Sequence, residues 1–156
     1  MLVNPIVPVI AILCSGLMAG LLLGDWLGPA VARARMSVSS FVQFQQIIHS
    51  AYLRVLPALS SIALAAPILW SILWRDQWGT AAYGALLGAT FAVAAGFAIT
   101  ILVNIPVNHQ LEQWDAANPP ADARAIWRPW EIAHVARTIL WTTGFLLEIV
   151  SIVMFR

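Results

Sequence analysis

The chain has 156 residues, of which 61% are hydrophobic and 10% are charged. Soluble domains usually carry about a quarter charged residues, so this composition excludes an ordinary soluble domain and indicates a single-domain integral membrane protein. The basic residues are all arginines in short linkers, and their lack of clustering excludes a nucleic-acid surface. A lone cysteine, Cys14, excludes an internal disulfide and a CxxC redox pair.

Four hydrophobic segments are long enough to cross a bilayer as helices. They predict an all-α membrane four-helix bundle that takes in residues 1–156 as one domain. The predicted spans are about 6–27, 55–74, 81–103 and 137–155. Between them we expect an amphipathic helix at about 38–54 and a polar segment at 104–136. The first span is too long for a signal peptide and follows no basic residue, which favours a retained helix.

Glycines recur every four positions in the first and third spans, at Gly16, Gly20 and Gly24 and at Gly84 and Gly88. This spacing is typical of faces along which membrane helices pack closely. It favours a packing role for these glycines. A homo-oligomer that shares its site across subunits is an open alternative.

Polar side chains share one face of the amphipathic helix predicted at 38–54. Gln45, His49 and Tyr52 follow one another at intervals of four and three residues, which places them along one side of a helix. We expect this helix to begin outside the bilayer and to enter it near Val55. Its three polar side chains would then approach the bundle from one end.

Two asparagines flank a proline at the end of the third span. Asn104 and Asn108 lie four residues apart, with Pro106 between them. A proline here leaves the carbonyl group of residue 102 without its helical hydrogen bond, and nearby amides can satisfy the exposed backbone. The two asparagines either make this local repair or direct their amides at the oxygen atoms of a ligand.

One stripe of the fourth helix carries aromatic and ionisable side chains together. Spacings of three and four residues align Trp130, His134, Arg137, Trp141, Gly144 and Glu148. Charged groups are costly in lipid, so Arg137 and Glu148 are expected to face the bundle interior or water. The pattern favours an internal cavity with indole walls. In the alternative interpretation, Arg137 extends to the membrane interface and Glu148 bonds a serine or threonine of a neighbouring helix.

These polar groups are expected to converge at one end of the bundle, and convergent polar groups in an apolar cleft indicate a binding site. The group comprises Gln45, His49, Tyr52, Asn104, Asn108, His109, His134 and Arg137. No cofactor is predicted, because the histidines lack the spacing of a metal motif. A metal ion or haem held by His49, His109 and His134 is the alternative.

Three short motifs resemble the DUF1772 family, a group of four-helix membrane proteins that includes the fungal anthrone oxygenases. The motifs are Gln45-Gln46 with Tyr52 and Pro57, then Asn104-x-Pro106-x-Asn108 with Leu111 and Trp114, then Trp130-x3-His134-x2-Arg137-Thr138. They occur in the right order over nearly the whole chain. The resemblance implies a four-helix membrane fold.

The resemblance also implies oxidation of a polycyclic or aromatic phenolic or quinone-type substrate by dioxygen, often without an evident cofactor. His134 or His49 would act as the base that forms an enolate. Arg137, Asn104 and Asn108 would stabilise the developing oxyanion. The expected substrate-binding residues are Trp130, Trp141, Tyr52 and Gln45. The alternatives are a haem- or metal-binding electron-transfer subunit and a non-catalytic membrane partner protein.

Arginine placement predicts the orientation in the membrane. With four spans, the loops at 28–54 and 104–136 lie on one side, and the positive-inside rule makes that side the cytoplasmic face of an inner or cytoplasmic membrane. An arginine with a catalytic role would distort the arginine count, because its position would not reflect the orientation in the membrane. The count sets Arg33, Arg35, Arg54, Arg124, Arg128 and Arg137 against Arg75 and Arg156.

Overall fold

The computed structural model describes residues 5–155, and within that range it contains helices and turns but no strand. Arg156, which entered the arginine count, lies outside the described residues. The helices are α1 (Ile6–Leu27), α2 (Pro29–Arg35), α3 (Val38–Tyr52), α4 (Leu56–Leu73), α5 (Ala81–Ile99), α6 (Ile105–Glu112) and α7 (Ala123–Met154). The prediction of an all-α fold is confirmed.

Four helical segments are long and apolar enough to cross a membrane: Ile6–Arg35, Leu56–Leu73, Ala81–Glu112 and Ala123–Met154. The longest helix, α7, packs against α5 and α1, and α4 packs against α1 and α5. These pairings close a four-helix bundle, as predicted. The shorter α3 matches the expected amphipathic helix and precedes α4.

The segment expected to be polar, at 104–136, is largely helical. A π-helical turn at Thr100–Asn104 joins α5 to α6, and the N–H group of Ile105 donates to the carbonyl of Thr100. Pro106 then lies in the first turn of α6, where a missing N–H group is tolerated. The wider turn therefore lets the helix continue past the proline as far as Glu112.

Two apolar clusters close the ends of the bundle. The far-end core consists of Ala11, Ala66, Trp70, Trp74, Tyr83 and Leu86, with Phe155 packed against it. The cavity-end core consists of Phe41, Val42, Val107, Leu111, Trp127 and Trp130. Between them the middle of the bundle holds a buried polar contact, in which the Ser15 hydroxyl donates to Glu148 Oε1 over 3.0 Å. Glu148 thus finds its partner on a neighbouring helix.

Close packing of the helices depends on some of the glycines. A Cβ atom at Gly144 would lie 2.7 Å from Val93 Cγ2 and 3.3 Å from the carbonyl oxygen of Ala89, so α5 and α7 need a glycine here. One at Gly16 would meet the Phe145 ring at 2.8 Å. At Gly20 a Cβ would meet no atom of residues 5–155 within 4 Å. The predicted seam of the first span is therefore used only in part within this chain.

Candidate functional site

A cavity of about 300 Å³ opens at one end of the bundle, among α3, α4, α7 and the chain around the π-helical turn. Its walls are mostly apolar. Six residues predicted for the site line it: Gln45, His49, Tyr52, Asn108, Trp130 and Arg137. Asn104, His134 and Trp141 are not among the lining residues, and His109 is exposed on α6.

The polar face of α3 reaches the cavity because the middle of the helix is tied to the end of α6. At its start, the Ser37 side chain accepts a hydrogen bond from the N–H group of Ser40 over 3.2 Å and caps the helix. Further along, the Gln46 amide donates to the carbonyl oxygens of Leu111 and Trp114, each over 2.9 Å. These bonds tie α3 to the end of α6 and hold its polar face in place.

Arg137 is the buried cation of the cavity, with 8% of its surface exposed. Its Nε and Nη2 atoms donate to His134 Nδ1 over 3.3 and 3.0 Å, and Nη1 donates to Thr100 Oγ1 over 3.4 Å. Its guanidinium carbon lies 5.3 Å from the Trp130 ring centroid. No carboxylate within residues 5–155 forms an ion pair with Arg137. The cavity wall therefore carries a guanidinium with no carboxylate in direct contact with it among the described residues.

His134 is held in one tautomer by its partners. Arg137 can only donate hydrogen bonds, so Nδ1 of His134 must present its lone pair. The carbonyl of Leu22 can only accept, so Nε2, 3.2 Å away, must carry the proton. The one basic nitrogen of His134 is thus directed at Arg137 and is not directed at a ligand.

A buried ion pair lies behind His134, and neither of its residues was predicted for the site. Arg33 donates from Nη1 and Nη2 to the two carboxylate oxygens of Asp25, over 2.9 and 2.8 Å. Asp25 Oδ2 is also 3.3 Å from His134 Nε2. The sequence predicted that Arg33 lies in a linker and predicted no role for Asp25. Asp25 and Arg33 are eight residues apart in the sequence, which is about two helical turns, and this spacing could have indicated that they pair.

A second carboxylate–imidazole contact lies at the cavity rim. His49 Nε2 is 3.0 Å from Glu112 Oε1, with His49 half-buried and Glu112 exposed. Glu112 was not predicted for the site. It belongs to α6 and His49 to α3, so no local pattern in the sequence could have paired them.

The asparagines and aromatic residues divide between cavity and core. Asn104 is fully buried and donates to the Trp130 carbonyl over 3.2 Å, which braces α7. Asn108 lines the cavity, and its Oδ1 is buried without a protein partner in the part of the chain that is described. Trp141 packs in the middle of the bundle, where a Cβ atom at Gly96 would approach its Cδ1 to 2.9 Å.

Trp130 lines the cavity but already has aromatic partners. Its indole stacks on Trp127, with centroids 4.4 Å apart, and on His134, with centroids 4.9 Å apart and planes within 9°. Trp130 therefore presents little free ring surface to a ligand. The sequence predicted indole walls, but the apolar walls of the cavity are formed more by aliphatic side chains than by indoles.

The Tyr52 hydroxyl is available as a hydrogen-bond donor. Burial raises the pKa of the Tyr52 phenol, the charge of Asp25 raises it further, and the charge of Arg33 opposes the increase. The phenol therefore stays protonated at neutral pH. A protonated phenol can donate to an oxygen atom of a ligand.

The histidines do not gather into a metal site. Among the residues that the structure describes, no group of three or more His, Cys, Asp or Glu side chains is placed to hold a metal ion. His49 faces Glu112 and His134 faces Asp25. His109 is exposed on α6.

Fold and cavity define a class, that of membrane four-helix proteins with a mostly apolar pocket, carrying a few polar groups, at one end of the bundle. A family model described as anthrone oxygenase matches residues 44–147. The chain therefore belongs to the anthrone oxygenase family, DUF1772, and is an integral membrane protein of this oxygenase-like group. A comparison with curated proteins gave no match, and neither did a comparison with solved structures.

Proposed function

We propose that this protein is a membrane oxygenase that uses dioxygen to oxidise a polycyclic phenolic substrate bound in the cavity. The observation that carries the proposal is the buried guanidinium of Arg137, which has no carboxylate partner in the described chain. A buried charge without a counter-ion is costly. A ligand that is an anion, or becomes one during reaction, would offset that cost.

The size and lining of the cavity support a small flat ligand. Its volume of about 300 Å³ is at the lower end of the roughly 300–1,000 Å³ usual for ligand pockets, and a three-ring molecule suits it better than a larger one. Leu56, Phe97 and Ile105 supply apolar walls. Gln45 Oε1 and Asn108 Oδ1 have no hydrogen-bond partner among residues 5–155, and they are suited to accept hydrogen bonds from phenolic hydroxyls.

With an anthrone-type substrate, the residues of the cavity would act one after another. A base removes a proton from the ring CH2 group, and the resulting enolate carries its negative charge on oxygen. Arg137 and the Tyr52 hydroxyl stabilise that charge. Dioxygen oxidises the enolate and bonds to the ring carbon as a peroxide, which takes up a proton and eliminates water. One oxygen atom remains as the new ketone and the other leaves as water.

His49 is the better placed of the two candidate bases. When its Nε2–H donates to Glu112, its Nδ1 keeps a free lone pair at the cavity rim. His134, by contrast, directs its lone pair at Arg137. We therefore assign proton removal to His49, orientation of its ring to Glu112 and a supporting role to His134.

Turnover of a hydroxylated anthrone by purified protein in detergent tests the proposal, with oxygen uptake corrected for spontaneous oxidation. Arg137→Met is expected to lower kcat by about 10²–10³-fold, the usual loss for one oxyanion-stabilising donor. Asn108→Ala is expected to cost about tenfold, since one hydrogen bond of about 1.4 kcal/mol is lost. Arg128→Met and Asn118→Ala are the matched controls. Unchanged turnover with both Arg137 and Asn108 replaced would end the proposal that Arg137 stabilises the oxyanion and that Asn108 binds the substrate.

The base is tested separately by His49→Gln. General-base catalysis contributes about 10²–10⁴-fold, so kcat should fall within that range while substrate binding persists. Glu112→Gln should give a smaller loss, because it disturbs only the ring orientation. His109→Gln is the control, since that side chain is exposed and does not line the cavity. A fully active His49→Gln protein would assign the base elsewhere.

We also propose that the loops at 28–54 and 104–136 face the cytoplasm. Arg33 and Arg137 are buried and are best left out of the arginine count. Those that remain on this side are exposed, namely Arg35, Arg54, Arg124 and Arg128, and only Arg75 opposes them within residues 5–155. A reporter inserted near Asn118 that proves active only outside the cytoplasm would reverse this orientation.

A further inference from the structure

Four buried ionisable side chains form one connected group behind the cavity: Asp25, Arg33, His134 and Arg137. The contacts run in order, from the Arg33 guanidinium to the Asp25 carboxylate at 2.8 and 2.9 Å, and from the carboxylate to His134 Nε2 at 3.3 Å. His134 Nδ1 then accepts from Arg137. Only Arg137 among the four lines the cavity.

The charges of Asp25 and Arg137 determine which imidazole nitrogen of His134 donates a hydrogen bond and which accepts one. If the imidazole carried its proton on Nδ1, that N–H group would face the N–H groups of Arg137. The Nε2 lone pair would then face the Leu22 carbonyl and the Asp25 carboxylate, so the ring would be repelled on both sides. Asp25 therefore favours the tautomer whose free lone pair holds Arg137.

Arg33 fixes the position of the Asp25 carboxylate, which favours this tautomer of His134. Both of its terminal nitrogens bond the two oxygens of Asp25, a geometry that sets the plane of the carboxylate as well as its position. The Arg33 guanidinium also lies 5.4 Å from the Trp130 ring centroid. The same indole is 5.3 Å from the Arg137 guanidinium, so both cations rest on one aromatic ring.

We propose that Asp25 and Arg33 are positioning residues of the site, which hold Arg137 at the cavity wall by fixing the tautomer and orientation of His134. The inference rests on the proposed function for its catalytic consequence. Both residues come from the part of the chain that precedes the family match at 44–147. The N-terminal helices α1 and α2 therefore contribute to the site as well as to the bundle.

The test uses the double variant Asp25→Asn/Arg33→Gln, which removes both charges together and leaves a neutral pair that can still form hydrogen bonds. Arg75→Gln/Asp76→Asn makes the same changes at an exposed position at the other end of the bundle. Nitrogen NMR of 15N-histidine-labelled protein in micelles reads the tautomer directly, and His134→Asn identifies the His134 resonances. Turnover of a hydroxylated anthrone is measured on the same samples.

The wild-type protein should show His134 as a neutral ring protonated at Nε2. In the double variant the Leu22 carbonyl and Arg137 still act on the ring, so the Nδ1 resonance should move only part of the way toward that of a protonated nitrogen. Its kcat should fall about tenfold, the lower limit for loss of a partner that orients a histidine, with KM changed less than twofold. The control variant should match the wild type in both measurements.

Three results would overturn the inference: a wild-type His134 protonated at Nδ1, unchanged His134 resonances in the double variant, or a shifted tautomer with full kcat. If the double variant did not fold, Arg33→Lys would replace it, since lysine keeps the charge but cannot bond both carboxylate oxygens. If the wild type turned over no anthrone, the proposed function would fail by itself. The resonances alone would then decide whether Asp25 and Arg33 fix His134.

Discussion

Both ends of the bundle are filled with tryptophan, but their surroundings differ. In the far-end core, Trp70 and Trp74 pack edge to face at 5.2 Å, and Trp74 meets Phe155 at 3.9 Å. The nearest polar contact there is neutral, from the Tyr83 hydroxyl to the Ser71 carbonyl over 3.0 Å. At the cavity end, the indoles lie beside the buried Asp25–Arg33–His134–Arg137 group.

Tryptophan therefore has two different roles in this bundle, one at each end. Apolar burial accounts for the far end, since each large ring removed from water or lipid contacts contributes packing energy. Buried ion pairs often give little net stability, because desolvation offsets their attraction. The four ionisable groups at the cavity end are therefore better explained by a role in the cavity than by a contribution to the stability of the fold.

The largest expected stability effect is at Asp25. Asp25→Ala leaves the Arg33 guanidinium buried without its carboxylate, so the free energy of unfolding should fall by about 3–5 kcal/mol. Asp76→Ala, at the exposed 3₁₀ turn Arg75–Gln77, should leave stability unchanged. Denaturant unfolding in mild detergent, followed by tryptophan fluorescence, measures both. Equal stability of the two variants would mean that the buried pair is not what distinguishes the ends.

The next effect concerns the middle of the bundle, which supports both ends. Gly144→Ala places a methyl group against Val93 and should cost about 1–3 kcal/mol through overpacking. Gly20→Ala meets nothing within 4 Å in the described part of the chain and should be neutral or slightly stabilising, since alanine is the better helix former. Thermal unfolding of both variants provides the measurement. A destabilised Gly20→Ala protein would instead point to a second copy packed on that face.

Substituting one tryptophan at each end sharpens the comparison. Trp70→Phe and Trp130→Phe should each cost about 1–2 kcal/mol, because each leaves a small cavity in a packed cluster. Only Trp130→Phe should also lower kcat, since that indole contacts His134 and lies beside Arg137. The two measurements are unfolding and anthrone turnover per folded molecule. Loss of activity in folded Trp70→Phe protein would show that the ends are coupled.

The smallest effect is a titration at Tyr52. The pKa of its phenol is raised from the ordinary value of 10.0, so the folded protein holds this proton more tightly than the unfolded chain does. The associated stability is complete below about pH 10 and is lost as pH rises through the folded pKa. Tyr83→Phe leaves Tyr52 as the only tyrosine, and phenolate absorbance near 295 nm follows its ionisation. A midpoint below that of free tyrosine would contradict the expected environment.

Much of the fold was predictable because hydrophobic length and helical spacing are local properties. The spans followed from runs of apolar residues, and the α3 face followed from the intervals between Gln45, His49 and Tyr52. The same intervals aligned Arg137 with the fourth-helix stripe. The helical course of the polar segment at 104–136 was not predicted, and its cause is also local: a π-helical turn at Thr100–Asn104 lets the chain pass Pro106.

The roles of site residues were harder to predict because they depend on which atoms face each other across helices. The sequence suggested His134 as a base but could not show that its lone pair is taken by Arg137. It suggested Trp130 as a flat wall but could not show the stacking on Trp127. The contact between His49 and Glu112 joins residues far apart in the chain. Such pairings appear only when the helices are assembled.

The cavity is lined in part by side chains on the outer surface of the bundle, with Leu53 51% exposed and Ile101 46% exposed. Ile101 belongs to the membrane-spanning segment Ala81–Glu112, so a hydrophobic phenol that entered beside it from the lipid would not have to cross water. The concentration that governs saturation would then be the mole fraction of substrate in the membrane. Adding empty vesicles at constant total substrate should slow turnover by dilution alone.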